Sequence, residues 1–464
     1  MKYRRFICIF LCVIIHMSIL TCFATEENGP DLDIVSGTHS VDANYAVLGD
    51  NKLVDNLQAA FVFETNSETL MYAWNPDQQL YPASFVKIMT ALLVVEQGNL
   101  DDIVTISADV IDSLPYDAIS VDLTEGEILS VRELLYCMMV QSANDAAAAL
   151  AEYISGSQAD FVALMNAKAA ELGCTGTKYM NVHGLHHDEQ VSTARDTCRI
   201  LQAALKNQDF RDVFCTVWHT VEQTNKHDAR YLSSNNFLMN TDDVGIYYDG
   251  RVKGGRTGVT TNDDRCVASV SKSGNMELIC VVMGSKSSYA SDGYWVNKFG
   301  GFPETTKLLD MAYGGFARKQ IVFADQILRQ QSVINGESDV FIASKEDFST
   351  VLPVDISFEN LQYRYTDVPG SDSAPVIKGQ NMASLQIWYN SICVAETDVY
   401  AMNDVPVVFQ KIAVQKETES GTSVFGVIII IILILIALFA CLIVCLRFIS
   451  RHKQHSDRRK SRGR

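Results

Sequence analysis

The chain has 464 residues, 48% of them hydrophobic and 20% charged, with a net charge of −17. That length exceeds one ordinary domain and supplies ample apolar surface for a core. The first five residues carry +3 and the tail from Arg447 carries +7, so residues 6–446 hold −27, an acidic body that argues against nucleic-acid binding and against capture of anionic polymers.

Lys2, Arg4 and Arg5 precede an apolar run, Phe6 to Leu20, and small residues end at Ala24, the layout of a signal peptide over 1–24. Thr21 before Cys22 fits lipidation poorly, so ordinary cleavage near Thr25 is expected. Polar residues 25–50 read as a linker. Ala59–Glu64 and Thr69–Trp74 flank Asn66-Ser67 like the strands of a hairpin. Ser84 to Glu96 is apolar on all sides, as a buried helix would be. Ser130 to Glu133 has the pattern of a capping box opening a helix, which Gln141 to Asn144 interrupts before an alanine-rich helix from Asp145. Ser157 to Asp160 opens another, stopping at Gly173.

Arg265–Val270 and Glu277–Gly284 bracket Ser273-Gly274-Asn275 as a second hairpin, and Thr306–Tyr313 reads as a closing helix. Strands at both ends around a helical middle make an α+β plan. Beyond about Gln320 come short alternating stretches, such as Ser384 to Tyr389, that suggest a small β domain. The expected divisions are 51–318 for the catalytic part, 319–416 for the β-rich part and 417–423 for a polar stalk. Val424 to Leu446 is uncharged and, at about 1.5 Å per residue, long enough to cross roughly 30 Å of bilayer core. The basic tail 447–464 belongs in the cytoplasm by the positive-inside rule, which leaves the folded part outside.

Twelve cysteines occur. Five fall in the two apolar terminal segments, and the other seven form no C-x-x-C pair, so neither a zinc ribbon nor a disulfide scaffold is indicated and small buried hydrophobes are expected.

A serine nucleophile needs a base within reach, and positions three apart share a helix face. Ser84-Phe85-Val86-Lys87 has that spacing on the buried helix, where desolvation lowers a lysine pKa and frees an amine to accept a proton. The bland alternative is a lysine stem snorkelling from a core helix. Two other S-x-x-K copies, at Ser269 and Ser450, fail on context: the first lies on a strand, where an odd offset separates the faces, and the second is in the tail.

Ser142-Ala143-Asn144 follows in a break between helices, and Arg256-Thr257-Gly258 in a strand-like stretch. This order, S-x-x-K, then S-x-N, then a basic residue with Thr-Gly, resembles the penicillin-binding proteins and serine β-lactamases. Pro82 to Thr90, Gln141 to Ala147, Phe161 to Asn166, His183 to His186 and Ser192 to Asp196 narrow the resemblance to the low-molecular-weight D-alanyl-D-alanine carboxypeptidases, peptidase family S11, over about residues 45–400. Ala374 to Gln380 is similar to the β domain that follows the catalytic domain there.

The resemblance implies a penicillin-binding/β-lactamase-like catalytic domain, with an antiparallel sheet and a helical subdomain, that removes the terminal D-alanine from peptidoglycan stem peptides and is acylated by β-lactams. It implies Ser84 as the acylated residue, Lys87 as its proton acceptor and Ser142 as the relay to the departing D-alanine. Asn144 would hold the substrate amide, Arg256 and Thr257 would meet the terminal carboxylate, and the N–H groups of Ser84 and Val259, beside Gly258, would form the oxyanion hole. No cofactor is implied.

The family usually has lysine where Arg256 stands, which keeps the charge but not the geometry. Lys253 is no substitute, being three positions along the strand. The cluster from His183 to Glu189 could suggest a metal, but packing is the expected role and no metal is assigned. Asp196 could orient site groups or cap the following helix. Two further readings are a β-lactamase and a non-catalytic β-lactam sensor.

Overall fold

The computed structural model describes residues 48, 51–241, 245–289, 291, 296–389, 392–408 and 424–460. The expected signal peptide, nearly all of the linker and the stalk lie outside the described residues. The chain divides into two compact units, one ending at Pro406 and one from Val407.

In the first unit, β1 (Ala59–Glu64) and β2 (Thr69–Trp74) form the expected hairpin. Its turn is held by the buried Glu64 carboxylate, which accepts from the Ser67 N–H at 2.6 Å and the Asn66 amide at 3.0 Å. The chain crosses to α1 (Val86–Gln97), in which every residue from Val86 to Val94 is buried. Such a helix must be enclosed on all sides, and it packs against five others: α2 (Val131–Val140), α3 (Asn144–Ser155), α4 (Gln158–Glu171), α5 (Ala194–Ala204) and the short helix Gln208–Phe214.

Both serine signals for helix starts hold, since Ser130 accepts from Glu133 N and Ser157 from Asp160 N. Each satisfies a donor that the first turn leaves unpaired. Thr193 does the same for α5, accepting from Asp196 N.

The chain returns to the sheet as β3 (Val252–Val259), β4 (Asp264–Ser273) and β5 (Met276–Lys286), the last two being the second hairpin. The sheet order is β2-β1-β5-β4-β3, antiparallel throughout. One apolar core lies between this sheet and the helices around α1; a second includes Leu308 and Leu309 of α6 (Phe302–Gly315). The strand β3 is therefore an edge, with its outer side open beside the helical layer.

Past α6, Phe316–Val322 pairs with Phe348–Pro353, and a five-stranded sheet follows. Its strands are β6 (Ile327–Gln331), β7 (Val340–Ala343), β8 (Gln362–Asp367), β9 (Asn381–Tyr389) and β10 (Ile392–Ala401), in the order β6-β7-β10-β9-β8. The alternation read in Ser384–Tyr389 is real: Leu385 and Ile387 are buried, and Ser384 and Gln386 are not.

The second unit contains α7 (Val424–Lys460), whose segment Val427–Arg447 is apolar enough to cross a membrane. The helix continues beyond the expected end at Leu446 into the basic tail, where Arg and Lys are good helix formers. Of the seven cysteines between the two apolar terminal segments, six are buried and Cys215 is half-buried, all as free thiols.

Candidate active site

Ser84 sits in a 3-10 turn, Ala83–Phe85, just ahead of α1. The α-helix begins at Val86, two residues later than expected, because Ser84 and Phe85 belong to the 3-10 turn, which Ala83 enters with φ +46°. A non-glycine residue in that region costs roughly 1–3 kcal/mol and persists where the surroundings over-determine it. They do so here by close approach: a Cβ on Gly184 would lie 2.1 Å from the Ala83 carbonyl oxygen, and one on Gly258 3.1 Å from Ser84 N. Gly184 and the Thr-Gly pair of β3 thus clamp the turn from two sides.

Ser142 lies between α2 and α3 and also has a positive φ, +68°. It is 3% exposed, and its hydroxyl stands 3.2 Å from that of Ser84. Two residues on, Asn144 opens α3, and its Oδ1 accepts from Lys87 Nζ at 2.7 Å. Lys87 donates also to the His183 carbonyl. Its amine is fully buried, which pushes its pKa well below the ordinary lysine value; the Arg256 charge adds to this and Asp145 opposes it. His183 is pushed down to about 3 by burial and then by the Lys87 charge, so it is neutral at physiological pH.

Arg256 is 2% exposed. Its guanidinium donates to the Met139 carbonyl at 2.9 Å and to the Ser142 hydroxyl, and burial draws its pKa down to about 10. The sequence suggested that it would meet substrate beside Thr257, but the structure turns it inward. Successive strand side chains alternate in direction, and Thr257 takes the cleft side, its hydroxyl donating to Asn235 Oδ1 at 2.7 Å. Lys253 is exposed and donates to the Gly250 carbonyl, away from these groups.

A cleft of about 230 Å³ opens over the cluster. Ser84, Ser142, Asn144, Thr257, Gly258 and Val259 line it, whereas Lys87 and Arg256 lie behind its wall. The S-x-x-K copy on β4 is apart from it, with Ser269 buried and bonded to the Cys280 carbonyl and Lys272 exposed. Among the described residues, no group of three or more His, Cys, Asp or Glu side chains is placed to hold a metal ion. Asp196 is not the cap of α5: its N–H donates to the capping Thr193 hydroxyl, and its carboxylate accepts from Gly176 N and the Thr177 hydroxyl, outside the cleft.

Several lining residues were missed by sequence reasoning: Asn235, Tyr81, Gln190 and the wall segment Asp117–Ile119. Asn235 ends a second S-x-N sequence, Ser233-Ser234-Asn235. Nothing local marks 117–119, which is brought in by long-range bonds: Asn144 N donates to the Ile119 carbonyl, and the buried Asp145 carboxylate accepts from Val121 and Leu123 N.

Residues 54–287 match the profile of the D-alanyl-D-alanine carboxypeptidase family, peptidase S11. The chain belongs to that family. It is thus a serine-type D-Ala-D-Ala carboxypeptidase of peptidoglycan, and β-lactam binding is typical of its relatives. Residues 316–407 match the C-terminal domain of penicillin-binding protein 5. The carboxypeptidase is 27% identical over 359 residues to DacF of Bacillus subtilis, an alignment covering 76% of this chain and 87% of DacF. It is 29% identical over 341 residues to DacC of Escherichia coli, covering 71% and 80%. Penicillin-binding protein 5 of Haemophilus influenzae has a similar structure, with a TM-score of 0.61 and 26% identity over 77% of this chain and all of that one.

Proposed function

We propose that Ser84 is the residue acylated in this carboxypeptidase, with Lys87 as its base and Ser142 as the proton relay. The observation that carries this reading is that Ser84, Ser142 and Asn144 line one cleft, with Ser84 beside Ser142 and Asn144 bonded to the Lys87 amine behind the wall. A neutral lysine amine has two N–H donors and one lone pair. Both donors have acceptors, Asn144 Oδ1 and the His183 carbonyl, so the lone pair is left for the Ser84 proton. Arginine can only donate, so Ser142 accepts from Arg256 and keeps its own hydrogen for Ser84 or for the leaving amine.

In this mechanism Ser84 Oγ attacks the carbonyl of the penultimate D-alanine while its proton passes to Lys87. The developing oxyanion faces the N–H groups of Ser84 and Val259. Ser142 delivers a proton to the departing D-alanine nitrogen as the C–N bond breaks and is reprotonated by Lys87, which is left neutral again, and Asn144 holds the substrate amide. Thr257 meets the terminal carboxylate, with the positive charge of Arg256 behind Ser142. Water then attacks the ester, Lys87 takes a proton from it, and Ser84 is regenerated; a β-lactam follows the first half of this path. We propose further that the catalytic part is extracytoplasmic, with α7 as anchor and its basic end in the cytoplasm.

The test uses the full chain in detergent, wild type and Ser84→Ala, with fluorescent penicillin and a D-Ala-D-Ala pentapeptide. Wild type takes label and releases D-alanine; Ser84→Ala does neither while melting at a similar temperature. Label on Ser84→Ala overturns the assignment. Label on wild type without D-alanine release points to a sensor, and rapid loss of label to a β-lactamase.

A further inference from the structure

A second cavity, of about 480 Å³, adjoins the catalytic cleft and shares two lining residues with it, Tyr81 and Thr260. Its other polar walls are Gln58, Gln79, Asn262 and Asp264. Of these, Asp264 is ion-paired with Lys286 at 2.8 Å, and Gln79 donates to the Gly176 carbonyl at 3.2 Å. The side-chain amides of Gln58 and Asn262 hold no hydrogen-bond partner among the described residues. Each amide offers two donors and a carbonyl acceptor, which suits the alternating N–H and C=O groups of a peptide and not a bare charge.

We infer that this cavity is an acyl-side subsite that takes the upstream, polar part of the stem peptide, with Gln58 and Asn262 as specificity-determining residues. The placement rests on the proposed function, which puts the terminal carboxylate at Thr257 and the scissile carbonyl at Ser84 and Val259. Substrate running beside β3 must then leave the cleft beyond Val259. Thr260 lies three residues past Thr257, about 10 Å at roughly 3.3 Å per extended residue. The cavity therefore begins where the third residue of the stem, counted from its carboxyl end, arrives. A two-residue ligand ends short of it. The subsite thus distinguishes a full stem peptide from a bare acyl-D-Ala-D-Ala, which fills only the catalytic cleft.

The experiment measures affinity by titration calorimetry on the full chain in detergent, in a Ser84→Ala background that removes turnover. The probes are the stem pentapeptide and N-acetyl-D-Ala-D-Ala, and the variants are Gln58→Ala, Asn262→Ala and the pair. A side-chain hydrogen bond contributes about 1 kcal/mol, so each single change is expected to weaken the pentapeptide about fivefold. Affinity for N-acetyl-D-Ala-D-Ala stays within about twofold. Both side chains are at least partly exposed, so melting temperature is expected to hold, and it is checked in parallel. An unchanged pentapeptide affinity, or equal losses for both ligands, overturns the subsite. Failure of the catalytic reading would show separately, as absence of D-alanine release by the wild type, while the affinity ratio still decides the subsite.

Discussion

Arg256 and Asp145 act on Lys87 with opposite charges, and Lys87 is the group proposed as the base for Ser84. Burial is the largest influence on Lys87, holding it well below the usual lysine range; Arg256 pushes the same way and Asp145 pushes back. The amine is therefore neutral over a wider pH range than an exposed lysine, and acylation falls only when acid protonates it. Arg256→Gln keeps a donor for Ser142 but removes a positive neighbour, so the Lys87 pKa rises and the acid limb of penicillin acylation moves to higher pH. Asp145→Asn removes a negative neighbour and moves the limb to lower pH. Second-order labelling rates across pH 5–9 check both signs, and a limb that moves the same way in the two variants refutes the assignment of Lys87 as base. The burial of Lys87 on its helix was legible because that segment is apolar on every side. The inward turn of Arg256 was not, because a residue triplet does not state which side of a strand faces the cleft.

The wall of the cleft is held by a buried ion pair between two short elements. Arg230, 7% exposed, donates to the Val121 carbonyl at 2.7 Å and to both oxygens of Glu127, which is fully buried. Burial alone would raise the Glu127 carboxyl, but Arg230, the Thr224 hydroxyl and the Thr124 N–H together hold it below the usual carboxylate range. Arg230→Met leaves that carboxylate buried without its cation, a change expected to cost about 3–5 kcal/mol at neutral pH. The sign with pH follows from the depressed folded pKa: the pair's stabilisation is present above the unfolded value of about 4.3 and is lost as pH falls through the folded one. The stability gap between wild type and Arg230→Met therefore narrows below about pH 4, as urea titrations at pH 7 and pH 3.5 would show; a gap that widens on acidification refutes it. Helix starts at Ser130 and Ser157 and both hairpins were readable because their signals lie within a few residues. This wall was not, because it depends on residues about a hundred positions apart that become neighbours only after the helices pack.

At the scale of the whole chain, charge and hydropathy assign different jobs to different segments. Residues 6–446 carry −27, so the net charge of the body opposes approach to an anionic membrane surface. In the proposed topology attachment rests on the apolar stretch of α7, where the 21 residues of Val427–Arg447 reach about 31 Å at 1.5 Å per residue. The unit that ends at Pro406 contains the whole catalytic cluster and both sheets. A chain stopped at 406 is therefore expected to move from the membrane fraction to the soluble one and to keep penicillin labelling within about twofold of the full chain. The full chain itself should resist extraction by high salt and yield only to detergent, because burial of apolar surface is not screened by ions as charge attraction is. Salt extraction of the full chain, or membrane retention of the shortened one, would place the anchor elsewhere than in α7.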